Sequence, residues 1–579
     1  MDATTRAAPT RKASALAGAI RNMTWFSAVL WALMAIVGLL VVYPLLTALI
    51  HEFDQVVIGL GELGQGDLAA SVPTVLWNTF VVVVGGTVIA LVIGSALAWA
   101  NERSDASLGW IGQLLPLAAL IVPPIAGVIG WAVLLDPRAG LMNHFIRNML
   151  APLGISFDTG PFNIYTMAGL VIITGLYIVP YVYLVVSAAL QRLDPAVEEA
   201  SRVSGANPFK TLYRVTLPAV RPSLVASALL GVISGVSLFS VPAILGGGAR
   251  IDVLSVFIYR LLSVYPTRIG PALVLAMGML VLVQVLLVAQ HLLIRRGQSA
   301  AIGGRGFRGT RVKLGPFRYL VLAMAALYLL ATAVLPLLGL LLVSLQPFWT
   351  PSINWATLTL DNFKFVLLEN KTTVSALINS MWLGFVVASF NMLLTGATTL
   401  HFVRNPAARR LADSLTGMPA TIPHTVIGVA FILAFSQPPL RIYGTTAILL
   451  LAYVVMTLPY AARAASAAAD TIGIELGEAS RINKASDLVT LWRIMLPLAL
   501  PGLVAGWIMV FVHTVGEITA SAFLSGTNNP VIGRVLLDFW TFGNFPQVAS
   551  LALIITVISS TFVGLMLLVT RRRHAVTVS

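Results

Sequence analysis

The chain has 579 residues, of which 58% are hydrophobic and only 10% charged, and its formal net charge is +14. That balance excludes a soluble globular domain and indicates a polytopic membrane protein. There is no Cys, which excludes disulfides, thiolate metal sites, Cys nucleophiles and Cys-ligated iron–sulfur clusters and leaves oxygen and imidazole as the main metal ligands.

The first 24 residues hold Arg6, Arg11, Lys12 and Arg21 but no short apolar core with a small-residue cleavage site. A cleaved signal peptide is therefore not expected, and the first apolar run reads as a retained anchor. A spanning helix needs about 20 apolar residues. Twelve runs meet that need in chain order. In the first half they are Trp25–Ile50, Asn78–Ala100, Ile111–Leu135, Tyr165–Leu190, Ser223–Leu245 and Pro271–Ile294. In the second they are Tyr319–Leu345, Asn379–Val403, Leu415–Phe435, Gly444–Ala469, Leu498–Leu524 and Ala549–Thr570. Pro419 and Pro423 interrupt the ninth. Residues 1–294 are read as one half and 319–579 as the other. The basic, Gly-rich stretch Arg295–Arg318 between them is read as a flexible, solvated connector near anionic lipid.

With the N-terminus placed in the cytoplasm, 27 of the 36 Lys and Arg lie on inner segments and 9 on outer ones. The acids divide almost evenly, 11 inside and 10 outside, with Glu517 in a span. The net charge is thus a topology signal. It does not require a nucleic-acid partner, and both termini are expected inside.

Two polar inserts break the apolar pattern. Leu193–Pro222 reads LDPAVEEASRVSGANPFKTLYRVTLPAVRP, and Thr471–Pro501 reads TIGIELGEASRINKASDLVTLWRIMLPLALP. At an offset of 279 residues, Glu199-Ala200-Ser201 falls on Glu478-Ala479-Ser480, Arg202 on Arg481 and Leu217-Pro218 on Leu496-Pro497. Lys484 stands where the first copy has Gly205. The repeat extends further: Pro180-Tyr181 matches Pro459-Tyr460 at the same offset, and Asn78 and Arg103 match Asn379 and Arg404 at 301. Six spans separate equivalent positions, so the fold class is all-α and polytopic, with about 12 transmembrane helices in two parallel six-helix repeats.

In the first insert Asp194-Pro195 is a good helix start and Gly205 a good left-handed stop. Glu198 and Arg202 stand at i,i+4 and are expected to pair. The second insert departs from this, with Gly473 for Asp194 and Gly477 inside the helix. Lys484 is poorly suited to a left-handed stop, which Asn483 tolerates better, so this helix is expected to end one residue early.

The spacing Glu-Ala-Ser, three residues, Gly, nine residues, Val, one residue, Leu-Pro resembles the cytoplasmic coupling motif of ABC importer permeases. Two copies in one chain resemble the fused permeases of the ferric-iron type. The resemblance implies a type I importer transmembrane fold in a bacterial inner membrane. It also implies that each short helix docks in a groove of an ATPase subunit, through Glu199, Ala200, Ser201 and Gly205 in one loop and Glu478, Ala479, Ser480 and Lys484 in the other. The partners implied are two copies of that ATPase, a periplasmic substrate-binding protein and the lipid bilayer. No Gly-x-x-x-x-Gly-Lys-Ser/Thr occurs, so the chain is expected to have no ATPase site or cofactor of its own, with ATP held by the partner subunits. Ferric iron leads as substrate; phosphonate, thiamine, a polyamine or another organic ion are alternatives in the same class. An ion-coupled secondary transporter is a different class, and it would leave the paired motifs without a role. A membrane enzyme is a third, without a His-Glu-x-x-His or Gly-x-Ser-x-Gly constellation to support it.

Breaks in the apolar spans mark the expected pathway. Val122-Pro123-Pro124 and Met418–Pro423 occupy equivalent third-span positions, and Ser237–Gly248 closes the fifth span. Irregular backbone at depth is tolerated only within protein or beside a water-filled cavity, so pathway lining and helix packing are both open. Glu517 is the one acid placed in a span, and its repeat partner is Leu238. His513, four residues earlier, is expected on its helical face. Either the pair lines the pathway, where Glu517 offers a hard oxygen or holds a gate, or Glu517 bonds a neighbouring span. Ser237, His424 and His513 are read as core or pathway residues with no certain metal-ligand role. His144, His291, His401 and His574 are read as interfacial or solvated.

Overall fold

The computed structural model describes residues 25–106, 122–297, 311–403, 405–472, 474–482 and 484–576. Among them, ten helices are long and apolar enough to cross a membrane. They are Trp25–Ile50, Gly66–Arg103, Met167–Arg192, Pro208–Ser237 and Ile269–Leu293 in the first half. Phe317–Ser344, Lys371–His401, Thr446–Asp470, Leu491–Val515 and Phe545–Leu568 make up the second.

Each half also has a third, shorter element: Pro124–Leu135 in one, and in the other His424–Phe435, bent by 93° from Pro406–Thr421. Side-chain contacts show that these elements cross. Arg103, at the end of Gly66–Arg103, donates to the carbonyls of Leu190 and Leu193 at the end of Met167–Arg192. Both ends therefore share one face, and the chain must traverse between residues 103 and 167. Arg409 meets Asp470 at 2.7 Å, so the matching crossing falls to His424–Phe435. At about 1.5 Å per residue these 12-residue helices are shorter than a bilayer core. Ten residues of each are buried, so protein covers most of their surface.

The halves exchange contacts reciprocally. The first helix of each half packs on the third element of the other: Tyr43 meets the Phe435 ring, and the Trp131 indole donates to the Ala331 carbonyl at 2.8 Å. Gly130 permits this, because a Cβ there would strike the backbone of Pro336. Within the first half, Gly86 and Gly175 let their helices meet backbone to backbone, as small residues do in membranes. His401, expected to be interfacial or solvated, lies partly buried between the halves, 2.7 Å from the Ser27 hydroxyl.

The pairing of Asn78 with Asn379 has a structural reason. Asn78 donates to the Asp252 carbonyl, and Thr79 accepts from the Leu254 amide. Asn379 donates to the Pro530 carbonyl, and Ser380 accepts from Ile532. Each pair anchors a ten-residue helix, Leu254–Ser263 or Ile532–Thr541, to the second helix of its half. Arg404, expected to match Arg103, lies outside the described residues.

Three expected spans are corrected. Ser223–Leu245, Leu415–Phe435 and Leu498–Leu524 are not continuous: the first is broken between Ser237 and Ser240, the second between Thr421 and His424, the third between Val515 and Thr519. Of the expected span Ile111–Leu135, residues 111–121 lie outside the described residues and the helix begins at Pro124.

Candidate functional site

The first polar insert folds as its capping residues dictate. The Asp194 carboxylate accepts from the Ala196 amide, Pro195 opens the helix Pro195–Val203, and Gly205 stops it at φ +81°. Asn207 caps the next turn by accepting from the Lys210 amide. A π-helical turn at Leu212–Thr216 then leads into the fifth span. The Ser201 and Thr211 hydroxyls, 3.0 Å apart, close the loop on itself. The expected Glu198–Arg202 pair does not form. Glu198 points into the bundle, is only 6% exposed, and accepts from the Thr216 hydroxyl at 2.6 Å. Arg103 faces it at 3.4 Å, and Arg202 faces Glu199 instead, at 3.9 Å. The i,i+4 spacing loses because that face of the helix is turned towards the membrane-spanning helices.

The second insert repeats the scaffold. Its helix, Ile474–Ile482, has nine residues like the first. Ser480 and Thr490 join hydroxyls at 2.8 Å, Ser486 accepts from the Val489 amide, and a π-helical turn occupies Leu491–Met495. Lys484 itself takes the left-handed conformation, at φ +59°, against the expectation that Asn483 would spare it. Asn483 and Gly473 lie outside the described residues. The buried tether is not repeated, since Gly477 and Met495 stand where Glu198 and Thr216 do.

The sequence reading missed an apolar surface. Val197, Val203 and Tyr213 are 49, 89 and 77% exposed. At the 279-residue offset, Leu476, Ile482 and Trp492 are 45, 82 and 59% exposed. Three large apolar residues thus face outward at equivalent places on both loops, beside the exposed Ala200 and Ala479. Apolar residues recurring at the repeat offset inside a polar insert were the available signal.

The central breaks converge. Glu517 follows Gly516, where the helix Leu496–Val515 has ended, so it does not share a helical face with His513. Its carboxylate instead accepts from the amides of Thr519 and Ala520, each at 2.9 Å, and of Ser521 at 3.3 Å, at the head of the helix Thr519–Leu524. Burial at 9% exposure is tolerated because three backbone donors satisfy the acid. His424, directly after Pro423, brings Nδ1 to 3.6 Å from Glu517. A Cβ on Gly516 would lie 3.8 Å from Pro123 of the other half. His513 packs on Tyr460 with ring centroids 4.4 Å apart and the planes tilted by 38°. Ser237 turns its hydroxyl back to the Ile233 carbonyl. The ring of Phe523 meets those of Phe239 and Tyr259 across the halves at 6.2 and 5.4 Å, and Arg534 donates to the Tyr259 hydroxyl. Among the described residues, no three His, Asp or Glu side chains gather to hold a metal ion.

A family profile described as "Binding-protein-dependent transport system inner membrane component" matches the chain twice, at residues 144–298 and 383–574, each time across one polar insert. The ferric transport system permease protein FbpB of Actinobacillus pleuropneumoniae is 26% identical over 528 residues, 88% of this chain and 74% of that protein. A putative ferric transport system permease protein FbpB 1 of Haemophilus influenzae is 27% identical over 76% of this chain and 68% of its own length. A probable ABC transporter permease protein, y4fN, of Sinorhizobium fredii is 25% identical over 93% of this chain and 96% of its own.

Proposed function

The chain belongs to the family of binding-protein-dependent transport system inner membrane components, and from that premise we propose that it joins both halves of a ferric-iron importer's transmembrane pathway in one polypeptide. Each coupling loop docks one copy of an ABC ATPase on the cytoplasmic side, where the chain termini also lie. A periplasmic binding protein delivers the substrate to the opposite face. ATP binding and hydrolysis move the two coupling helices as rigid bodies and switch the access of the central cavity.

The observation that carries this reading is the repeated apolar face, Val197, Val203 and Tyr213 on one loop and Leu476, Ile482 and Trp492 on the other. Apolar side chains in such numbers on a polar loop indicate a partner surface, and the same surface twice indicates the same partner twice. The ferric-iron assignment is supported by the two relatives named as ferric transport permeases.

Native mass spectrometry of the affinity-purified chain tests the docking. Two ATPase copies per chain are expected, one in Val203→Asp or Ile482→Asp, and none in the double variant. An intact chain that never carries an ATPase overturns the importer reading. Iron accumulation from ferric citrate, in cells with and without the chain, tests the substrate; equal accumulation overturns iron while leaving the importer class standing.

A further inference from the structure

Arg103 sits at the junction of four segments. One guanidinium nitrogen donates to the carbonyls of Leu190 and Leu193 at 2.7 and 2.8 Å, at the C-terminal end of Met167–Arg192. The Leu190 carbonyl also accepts from the Leu193 cap amide at 3.2 Å, and carbonyls at this end of a helix carry its negative end. Another nitrogen faces Glu198 on the coupling helix, and Glu198 in turn accepts from Thr216 in the π-helical turn. Arg103 is 11% and Glu198 8% exposed at the side chain, so water screens this pair little.

The end of the inter-half connector is added to this junction. Its expected reading as solvated linker does not hold at Val312 and Leu314, which are buried. Val312 donates its amide to the Arg103 carbonyl at 2.8 Å and accepts from the Asp105 amide at 3.0 Å, forming a parallel bridge beside Ser104. The Asp105 carboxylate accepts from the Leu314 amide. Val312 and Leu314 are buried with Ala106 against Trp99 and Val321. Phe317, opening the first helix of the second half, meets the ring of Phe209 in the first coupling loop edge-on at 6.0 Å.

Among the described residues, the second loop does not repeat this attachment. Gly477 stands at the Glu198 position, and the nearby pair Arg409–Asp470 is a surface contact, 24 and 63% exposed. A surface pair contributes little to stability.

We propose that Arg103 is a positioning residue for energy coupling: with Glu198 it fixes the first coupling helix to the permease, and the strap 311–316 carries that fixed point to the second half. The motion of one ATPase then reaches both halves directly through the first loop, whereas among the described residues no such strap joins the second loop to the first half. This rests on the reading that an ATPase docks at both loops.

The test uses the chain purified with its ATPase in phosphatidylethanolamine–phosphatidylglycerol vesicles, read as ATP hydrolysis per bound ATPase. Glu198→Gln keeps an acceptor for Thr216 and removes the charge facing Arg103; hydrolysis is expected to fall about tenfold with the ATPase ratio unchanged. Arg103→Lys keeps the charge but not the fork that spans two carbonyls and Glu198, and is expected to fall between Glu198→Gln and the wild type. Val312→Pro deletes the bridging amide and is expected to lower hydrolysis as Glu198→Gln does. The absence of native Cys allows a second, fold-independent check. A Ser104→Cys, Val312→Cys disulfide holds the strap closed and is expected to leave hydrolysis within about twofold of the reduced protein. Wild-type hydrolysis in Glu198→Gln, or loss of hydrolysis on forming the disulfide, overturns the proposal alone. A wild-type chain without any bound ATPase overturns the functional reading and this proposal with it.

Discussion

Ser480 and Thr490 join hydroxyls at 2.8 Å across the second coupling loop, as Ser201 and Thr211 do at 3.0 Å across the first. Thr490 and Thr211 were not among the residues singled out from the sequence; their partners were, as the third residue of each Glu-Ala-Ser. The serine therefore has an inward task, holding the short helix against the turn that follows it, while its neighbours Ala200 and Ala479 stay exposed. Thr490→Val and Thr211→Val each remove one such bond, which is worth about 1 kcal/mol. Hydrogen exchange of the loop amides is expected to quicken about fivefold in each variant, with the opposite loop unchanged. Unchanged exchange in either variant would show that the pair does not hold its loop.

Lys484 pays a conformational penalty that Gly205 avoids. Both occupy the left-handed region, at φ +59° and +81°, which costs a residue with a Cβ about 1–2 kcal/mol. Lys484→Gly is expected to stabilise the loop by about 1 kcal/mol and to raise the ATPase occupancy of the second loop. Gly205→Lys is expected to destabilise the first loop by a similar amount, so the two exchanges act in opposite directions. Titration of ATPase binding to each variant measures both, and a loss of binding in Lys484→Gly would run against this account.

What the sequence made legible follows from how local each signal is. The caps Asp194 and Gly205 act within a few residues of their own helix, and both were read correctly. The repeat was visible because polar inserts stand out between apolar runs, so a fixed offset could be measured. Glu198 was misassigned because its choice between Arg202 and Arg103 depends on which side of the short helix faces the bundle, a tertiary matter. Glu517 and His513 were placed on one helical face because Gly516, the cap that ends the helix at Val515, stands inside an apolar run long enough to read as one continuous span. Pro123 and Pro423, by contrast, did mark breaks that converge near Gly516, since proline removes a donor wherever it stands.

Glu517 accepts from three backbone amides, which sets up a clear separation between two substitutions. Glu517→Gln keeps one acceptor oxygen but turns an NH2 towards the remaining amides, so it leaves at least one donor unpaired; Glu517→Leu leaves all three buried donors unpaired. Each unpaired buried group costs about 1–3 kcal/mol. Thermal unfolding in detergent is expected to shift measurably in the first and by more in the second, while the Gln variant retains uptake. If Gln unfolds normally but abolishes uptake, the carboxylate charge itself acts on the substrate, and the capping account of Glu517 is incomplete.

Phe523 closes the central region from the second half by meeting Phe239 and Tyr259 of the first. Phe239 and Phe523 are 1 and 4% exposed, so the contact between the halves is a dry one, and in the proposed importer it parts when access switches. Aromatic contacts of this kind contribute about 0.5–1.5 kcal/mol beyond their area. Removing one therefore shifts a two-state balance by up to about tenfold, provided the contact exists in only one of the states. Phe523→Ala is expected to favour the state in which the rings are apart. In the proposed importer that is the outward-open state, in which the two ATPases are brought together, so ATP hydrolysis without binding protein is expected to rise by about threefold to tenfold. Tyr259→Phe supplies the control: it keeps the ring and deletes only the hydroxyl that faces Arg534 at 3.3 Å, and its effect is expected to be smaller. Basal hydrolysis measured in the two variants, with the ATPase ratio held equal, decides the matter. Unchanged hydrolysis in Phe523→Ala would mean that the three rings stay together in both states and act as a hinge rather than a gate.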